Sequence, residues 1–311
     1  MSNLSEIALI PTPPPHYKSG FVGIIGRPNV GKSTLMNQLV GQKVAITSPI
    51  AQTTRNRLRG ILTTPDAQII FVDTPGIHKP HHQLGKVLVK NAQIAIHSVD
   101  AIVLVVDSAT TAGGGDRYIA DLLRDLHTPV ILGLNKLDLQ PADEVAQIDR
   151  SYENLGASHW PRIKFSALTG EGTDILQKAL VDCLEPGPYY YPPDLVTDQP
   201  ERFIMGELIR EQILLHTRQE VPHSVAIEID KIEENSDITR IFASIHVERG
   251  SQKSIILGKG GSMVKQIGSA ARGQMQKLIS GKIYLELFVK IQPKWRQSRT
   301  RLAQFGYRVE D

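Results

Sequence analysis

Residues 26–33 carry the strongest chemical signal in the chain, because they fit the phosphate-binding pattern G-x-x-x-x-G-K-[ST]. An apolar run at 21–25 precedes them, and a helix-like stretch at 34–40 follows. A strand that leads through a glycine-rich loop into a helix directs backbone N–H groups and the positive end of the helix dipole at one anion. Binding of a nucleoside triphosphate is therefore the first hypothesis. The predicted phosphate-binding residues are Gly26, Arg27, Pro28, Asn29, Val30, Gly31, Lys32, Ser33 and Thr34.

Two side chains of this loop have predicted roles of their own. Lys32 would reach the β- and γ-phosphates as a point charge, and Ser33 would place its hydroxyl on Mg²⁺. The alternative is a chance match in an ordinary strand–turn–helix. The motifs further along the chain disfavour that alternative.

A second phosphate-side element is the motif Asp73-Thr74-Pro75-Gly76, which follows the apolar run 68–72. A carboxylate at the C-terminal end of a strand beside the P-loop strand can hold Mg²⁺ or its bound water. The unhindered backbone N–H of Gly76 can approach a γ-phosphate. An Asp-initiated turn is the alternative, and the position after a P-loop favours the phosphate role.

The motif Asn135-Lys136-Leu137-Asp138 follows the apolar run 130–134 and predicts which base is bound. An aspartate can accept hydrogen bonds from N1–H and from the exocyclic amine of guanine, whereas adenine has no N1–H. A site built to accept such bonds rejects the analogue that lacks them by as much as ~10⁴ to 10⁵. GTP is therefore preferred over ATP. The later tripeptide Ser166-Ala167-Leu168 would lend a backbone N–H to the guanine carbonyl oxygen.

Length, hydropathy and cysteine content restrict the class of protein. A chain of 311 residues is long enough for two domains of roughly 100 to 200 residues each. The longest apolar run, Ala101 to Val106, is far short of the roughly 20 residues that cross a bilayer, and we expect no signal sequence because Met1 to Ile10 has no basic region. Because Cys183 is the only cysteine, a disulfide within one chain is excluded. We expect a cytoplasmic protein.

The charge is distributed unevenly along the chain. Residues 241–311 contain 13 Lys and Arg against 4 Asp and Glu, whereas the whole chain has a net charge of only +3. A modestly acidic front part joined to a basic end suggests a polyanionic partner, either a nucleic acid or an anionic membrane surface. A merely solvated basic face is the alternative.

Hydrophobic patterning predicts an α/β domain with a mostly parallel sheet. Continuous apolar runs are typical of strands that are buried on both faces of a parallel sheet. The runs 57–63 and 67–72 are joined by a short turn, so they should form a hairpin with one antiparallel edge strand. We expect residues 41–56 to be a mobile loop. The predicted strands are 21–25, 57–63, 67–72, 101–106, 130–134 and 162–165, and the predicted helices are 31–41, 84–97, 115–127, 142–155 and 172–184.

Prolines around residues 186–193 end this pattern, and a different pattern follows. A predicted order of α-β-β-α-α-β surrounds the glycine-rich loop Gly258 to Gly261, which fits G-x-x-G, and a helix is expected over 262–279. Such a loop lets two helix ends approach a nucleic-acid backbone, beside a groove for about four single-stranded nucleotides. A helix–turn–helix connector is the alternative. The predicted RNA-binding residues are Lys253, Ile256, Gly258, Lys259, Gly260, Gly261, Lys265 and Arg272.

The motifs GRPNVGKS, AQTTRN, DTPG, NKLD and SAL, in this order, resemble the five guanine-nucleotide motifs of a translation-factor-class GTPase of the Ras-like superfamily. The C-terminal pattern resembles a type II KH domain, and the combination resembles the bacterial Era family. The resemblance predicts an extension at 1–19, a G domain at 20–187, a linker at 188–200 and a KH domain at 201–311.

The resemblance also implies an activity, partners and residue roles. It implies GTP hydrolysis, with Lys32, Thr54, Asp73 and Gly76 as catalytic residues and with Ser33, Thr54 and Asp73 around Mg²⁺. Thr53 remains the neighbouring candidate for the switch threonine. The resemblance implies a monomer that binds the 3′ end of 16S rRNA as a nucleotide-controlled switch in 30S assembly, with peripheral contact with the inner membrane face.

Two residues bear on the mechanism. Ile77 occupies the position where a Ras-like enzyme carries a water-orienting Gln, so slow intrinsic hydrolysis is expected. In similar enzymes the asparagine that corresponds to Asn29 helps to hold K⁺ beside the phosphates, and a turn-stabilising role is the alternative. Two alternative functional classes for the whole chain are a membrane-recruited signalling GTPase and an RNA chaperone with a vestigial nucleotide site.

Overall fold

The computed structural model describes residues 10–50, 53–77, 83–218, 220–279 and 281–307. Ala51 and Gln52 of the AQTTRN motif and residues 1–9 of the predicted extension lie outside these residues. The chain divides into two compact units. The first unit comprises Met1–Val44, Arg57–His78 and Asn91–Asp198, and the second comprises Ala45–Asn56, Lys79–Lys90 and Gln199–Asp311.

A six-stranded sheet of order β2-β3-β1-β4-β5-β6 forms the centre of the first unit. Among its described strands only the β2–β3 pair is antiparallel, which confirms the predicted hairpin and the mostly parallel sheet. Residues Ala101–Val106 of β4 are fully buried, as the continuous apolar run predicts. The strands are β1 (Lys18–Ile25), β2 (Leu58–Thr63), β3 (Ala67–Asp73), β4 (Ala101–Asp107), β5 (Val130–Asn135) and β6 (Arg162–Lys164). The first five helices of the chain are α1 (Lys32–Val40), α2 (Gln83–Ile96), α3 (Gly114–Arg124), α4 (Val145–Glu153) and α5 (Thr173–Asp182).

Both ends of the predicted G domain need correction. β1 begins at Lys18, and Tyr17 before it is buried, so the expected extension at 1–19 is too long. The expected linker at 188–200 is fixed to the first unit over most of its length. The Gln68 side chain accepts from the backbone N–H groups of Tyr190 and Tyr191 at 2.8 and 3.0 Å. The first unit therefore continues to Asp198.

The second unit has a three-stranded sheet of order β7-β8-β9, in which β7–β8 is antiparallel and β8–β9 is parallel. Its elements confirm the predicted α-β-β-α-α-β order and add a final short helix that the sequence did not predict. They are α6 (Glu201–His216), β7 (Ala226–Glu234), β8 (Ile238–Val247), α7 (Gly250–Leu257), α8 (Ser262–Met275), β9 (Lys282–Ile291) and α9 (Arg299–Gln304). The predicted helix over 262–279 ends early, at Met275.

Residues 41–56 were expected to be a mobile loop. Their described residues form no helix or strand, which agrees with a loop, and the mobility stays a prediction. The part Ala45–Asn56 clusters with the second unit. Ile46 is buried in the same apolar core as Ile209, Ile245 and Ile256. The burial of this apolar side chain ties the segment to that core.

Among the residues that the structure describes, no helix is both long and apolar enough to cross a bilayer.

Candidate nucleotide site and nucleic-acid interface

The P-loop connects β1 to α1 through a backbone that requires glycine at Gly31. This residue has φ 96°, and a Cβ built on it would lie 2.2 Å from Nδ2 of Asn135. Both the left-handed conformation and the lack of space therefore exclude a side chain. Asn29 has φ 64°, a conformation that Asn adopts more readily than most residues, which agrees with a turn role, and K⁺ beside Asn29 stays a prediction.

Lys32 begins α1 and is only 6% exposed. Its Nζ donates to the backbone carbonyl oxygen of Arg27 at 2.7 Å. Burial lowers the pKa of Lys32 to about 8, and the nearby Asp73 carboxylate acts in the opposite direction. A buried ammonium whose charge is this poorly compensated is well suited to bind an anion.

Ser33 and Asp73 meet beside this lysine. The Ser33 hydroxyl donates to Oδ2 of Asp73 at 2.6 Å, and Asp73 is fully buried. A hydroxyl and a carboxylate are hard oxygen ligands of the kind that Mg²⁺ prefers, so this pair fits the predicted metal site. Thr74 donates to the carbonyl oxygen of Ile24 at 3.0 Å and so fixes the DTPG turn to β1.

The DTPG turn and the P-loop pack directly against each other. A Cβ built on Gly76 would lie 2.7 Å from the backbone nitrogen of Pro28. Ile77 donates its backbone N–H to the carbonyl oxygen of Gly26 at 3.3 Å and is itself buried in the apolar core. The side chain at the water-orienting position is therefore both aliphatic and turned into the core. It cannot polarise a water molecule.

Asn135 links three of the predicted guanine-nucleotide motifs. Its Nδ2 donates to the carbonyl oxygen of Val30 in the P-loop at 2.7 Å. Its Oδ1 accepts from the backbone N–H of Ala167 at 2.8 Å. One side chain thus sets the spacing between the phosphate loop, the NKLD motif and the SAL motif.

Asp138 is oriented by the SAL motif. Its Oδ1 accepts from the Ser166 hydroxyl at 2.5 Å, and Ser166 in turn accepts from the backbone N–H of Thr169 at 3.1 Å. These bonds hold the carboxylate that would read a guanine edge. Leu168 is 74% exposed at the rim of this arrangement.

Asp107 belongs to this site and was missed by the sequence reasoning. It is the last residue of β4, and its Oδ2 accepts from Nζ of Lys136 at 2.5 Å. Lys136 has φ 69°, which is uncommon for a residue with a long side chain, so an anchoring partner is useful there. The available signal was a carboxylate at the C-terminal end of a central strand.

Thr53 and Thr54 lie in the segment that clusters with the second unit. The Thr53 hydroxyl donates to the carbonyl oxygen of Ile50 at 2.7 Å, and the Thr53 carbonyl oxygen accepts from Nη2 of Arg210. Thr54 is buried. The structure does not decide which threonine meets Mg²⁺, so that assignment stays a prediction.

Arg55, the next residue, occupies a pocket of the second unit and is 2% exposed. Its guanidinium donates to the carbonyl oxygens of Val225 at 2.5 Å and Pro222 at 3.0 Å. It also lies over the rings of Trp295 and Tyr307, 6.0 and 5.7 Å from their centroids. Hydrogen bonds and cation–π contacts thus anchor this segment in the second unit.

The glycine loop between α7 and α8 has the backbone that its sequence predicts. Gly258, Gly260 and Gly261 have φ values of 71°, 60° and 80°. A Cβ on Gly258 would lie 2.7 Å from Cβ of Met263, whereas Gly260 and Gly261 face open space. Two helix ends therefore meet at an exposed loop that carries the exposed Lys259.

A groove of about 340 Å³ runs between α8 and β9 beside this loop. Apolar Val264 and Leu287 line it together with the exposed cations Lys265 and Arg272. Ile256 was predicted to contact RNA, but it is fully buried in the core, so it positions α7 and cannot touch a nucleotide. Lys253 is half-buried on the same helix.

The fold and these sites define a P-loop GTPase domain joined to a type II KH domain. A family model described as "50S ribosome-binding GTPase" matches residues 21–136, and a model described as "KH domain" matches residues 220–296. The chain is 71% identical to the GTPase Era of a Nostoc species over 100% of this chain and 96% of that protein. It is 49% identical to the GTPase Era of Leuconostoc citreum over 95% and 98% of the two chains.

Two solved structures agree with these relatives. A single-residue variant of Aquifex aeolicus Era bound to GDP·AlF4⁻ has a TM-score of 0.89 and 38% identity, over 93% of this chain and 99% of that chain. Era in complex with MgGDPNP and nucleotides 1506–1542 of 16S ribosomal RNA has the same TM-score and identity, over 94% and 99%. The chain belongs to the GTPase Era family, as its motifs predicted, and it is a GTP-hydrolysing enzyme.

Proposed function

We propose that this protein is a GTP-controlled RNA-binding switch that holds the single-stranded 3′ end of 16S rRNA during assembly of the 30S subunit. It would act as a monomer in the cytoplasm. The solved relative that holds MgGDPNP and a 16S rRNA segment supports the class of ligand. The glycine loop and the basic groove of the KH domain support the same ligand on this chain.

One observation carries the switching part of the proposal. The segment Ala45–Asn56 contains the threonine that would respond to the γ-phosphate, and it is packed into the same unit as the KH domain. Ile46 and Arg55, on either side of that threonine, are both buried there. Any nucleotide-dependent movement of Thr54 must therefore disturb the packing of the RNA-binding unit. A ligand shifts an equilibrium only when it interacts differently with the two states, and this segment would provide that difference.

At the phosphate end, Lys32 and the P-loop backbone would bind the β- and γ-phosphates. Ser33 and Asp73 would hold Mg²⁺, joined by Thr54 in the GTP state, and the ion would neutralise charge on the phosphate oxygens. Because Ile77 is apolar and buried, no side chain at its position orients the attacking water. Slow hydrolysis, with K⁺ near Asn29 as a supplementary charge, would give the switch its timing.

At the base end, the Asp138 carboxylate would accept from guanine N1–H and from the exocyclic amine. The backbone N–H of Ala167 donates to Asn135 and ties the SAL motif to the NKLD motif, and a SAL backbone N–H would donate to the guanine carbonyl oxygen. Adenine would leave the Asp138 carboxylate unpaired in the site. The site would therefore discriminate against ATP by as much as ~10⁴ to 10⁵.

The decisive experiment measures the affinity of the full chain for a 16S 3′-end oligonucleotide in the presence of GDP and of a non-hydrolysable GTP analogue. We expect at least tenfold tighter RNA binding with the analogue, because the analogue has a γ-phosphate whose Mg²⁺ would bind Thr54 and GDP has none. An oligonucleotide of the same composition in scrambled order is the control. Equal affinities in the two nucleotide states would refute the switch, and equal affinities for the two oligonucleotides would refute the RNA preference.

A second candidate function is recruitment to an anionic membrane surface. The observation that favours it is the positive charge of residues 241–311, which contain 13 Lys and Arg and only 4 Asp and Glu. Vesicles containing phosphatidylglycerol, added in place of the oligonucleotide, separate the two functions. Binding to these vesicles without binding to the RNA would favour the membrane role, whereas binding to both fits peripheral membrane contact by an RNA-binding protein.

A further inference from the structure

Three consecutive glycines precede Asp116 at the start of α3, and no motif of the GTPase family accounts for them. The helix begins at Gly114, and the backbone N–H of Gly113 donates to Oδ2 of Asp116 at 2.9 Å. Asp116 thereby caps its own helix. The Asp116 side chain is 1% exposed, and carboxylates are almost never so buried unless they are paired.

The other carboxylate oxygen of Asp116 binds the P-loop. Oδ1 accepts from Nε of Arg27 at 2.6 Å, in an ion pair between a buried carboxylate and a partly exposed guanidinium. Arg27 is the first variable residue of the phosphate-binding pattern. The pair therefore connects the N-terminus of α3 to the loop that would hold the phosphates.

The glycine run makes room for this contact. A Cβ built on Gly115 would lie 2.6 Å from Cδ of Arg27, so the aliphatic part of Arg27 rests directly on the helix backbone. A Cβ there would push the arginine away from Asp116. Residues Gly113 to Asp116 thus form a binding surface for the Arg27 side chain of the P-loop.

The backbone of Arg27 is part of the catalytic arrangement. Its carbonyl oxygen accepts from Nζ of Lys32 at 2.7 Å, and the preceding residue, Gly26, accepts from the backbone N–H of Ile77. Anchoring the Arg27 side chain therefore fixes the orientation of the peptide group that aims the lysine. A small displacement of a catalytic group can lower the reaction rate by as much as ~10²-fold. Loss of the Arg27 anchor should therefore lower the rate of hydrolysis.

We propose that Asp116 and Arg27 are positioning residues for GTP hydrolysis, which act through the Arg27 carbonyl oxygen to aim Lys32 at the phosphates. The inference does not depend on the proposed RNA function, because the contacts among Asp116, Arg27 and Lys32 all lie in the first unit. The contrasting interpretation is a brace that stabilises the fold and leaves the chemistry unchanged.

The test compares Arg27→Met and Asp116→Asn with the unaltered full chain in GTP hydrolysis without RNA. Arg27→Met keeps the apolar stem over Gly115 and removes only the charged group, and it leaves the helix cap intact. We expect kcat to fall about tenfold in each variant, with no further fall in the double variant, because both changes break one connection. Arg27→Lys should recover part of the lost kcat, since an ammonium can still pair with Asp116.

The matched control is Asp121→Asn, which breaks the exposed ion pair between Asp121 and Arg124 on the same helix. Its kcat should be unchanged. A fall in the midpoint of thermal unfolding with kcat intact in Arg27→Met would establish the brace and overturn the proposal. Losses in kcat that add up in the double variant would overturn it as well. If Asp116→Asn does not fold, Arg27→Met and Arg27→Lys decide the question by themselves.

Discussion

At the scale of single residues, polar side chains of the nucleotide site are held by one another. Asn135 links three motifs, Ser166 orients Asp138, and Asp107 anchors Lys136. Groups that are held in advance lose little conformational freedom when the base binds, so more of their interaction energy is retained as affinity. Lys32 differs, because its buried ammonium lacks full compensation until an anion binds.

The lowered pKa of Lys32 predicts a pH dependence of nucleotide binding. The ammonium is the form that binds phosphate, and the free protein loses it as the pH rises through about 8. Bound phosphates raise the pKa, so GDP binding above that pH takes up a proton. The affinity should be nearly constant below pH 8 and fall by up to about tenfold per pH unit above it.

Titration calorimetry of GDP between pH 7 and pH 9 measures this effect. Lys32→Arg is the matched control, because a guanidinium remains charged over the whole range and should give a flat profile. A flat profile in the unaltered protein would show that Lys32 stays protonated in the free site.

At the scale of secondary-structure elements, the glycine loop between α7 and α8 determines how closely two helix ends approach. Gly258 is the critical position, because it combines a backbone conformation that only glycine adopts readily, φ 71° and ψ 176°, with contact to Met263. Gly260 and Gly261 have positive φ without such a contact. The element was predictable from sequence because G-x-x-G is local, and the helix ends follow from the same residues.

Gly258→Ala should both destabilise the KH domain and weaken RNA binding. An alanine in this backbone conformation costs roughly 1 to 3 kcal/mol, and the contact with Met263 would move α8 away from α7. We expect RNA affinity to fall more than tenfold. Gly273→Ala, in the open part of α8, is the control and should raise stability by about 0.5 to 1 kcal/mol. Thermal unfolding and RNA titration measure the two effects, and similar behaviour of both variants would contradict this account.

Other elements could not be predicted from sequence. The helix α9 has only six residues, too few for a periodic pattern, and its place depends on the cluster that includes Trp295 and Leu302. The end of the first unit at Asp198 depends on distant partners such as Arg59, 2.6 Å away. By contrast, five of the six strands of the first sheet were predicted to within one residue, and only the start of β1 was missed, by three residues.

At the scale of the whole molecule, the division into units does not follow the order of the chain. Arg55 belongs to the sequence of the G domain, yet it donates to Val225, 170 positions further along. No local pattern predicts a contact at that separation. The sequence therefore indicated this loop but not its contacts with the second unit, although the nucleotide motifs on both sides were recognised.

Arg55→Met tests whether this anchor couples the two activities. The change removes the hydrogen bonds to Val225 and Pro222 and keeps an apolar side chain between Trp295 and Tyr307. We expect the ratio of RNA affinities in the GTP-analogue and GDP states to fall towards one, with GDP affinity unchanged. Arg240→Met, an exposed change in β8, is the control and should preserve the ratio. A preserved ratio in Arg55→Met would exclude Arg55 as the coupling residue, and Arg55→Lys serves if that variant does not fold.

The pocket of Arg55 also makes the protein its own optical reporter. The chain has two tryptophans, and one of them, Trp295, forms a wall of this pocket in the second unit. Indole emission is sensitive to a neighbouring cation and to entry of water. Departure of the guanidinium would therefore change intrinsic fluorescence in real time without any attached dye, and Trp160→Phe in the first unit would remove the background signal.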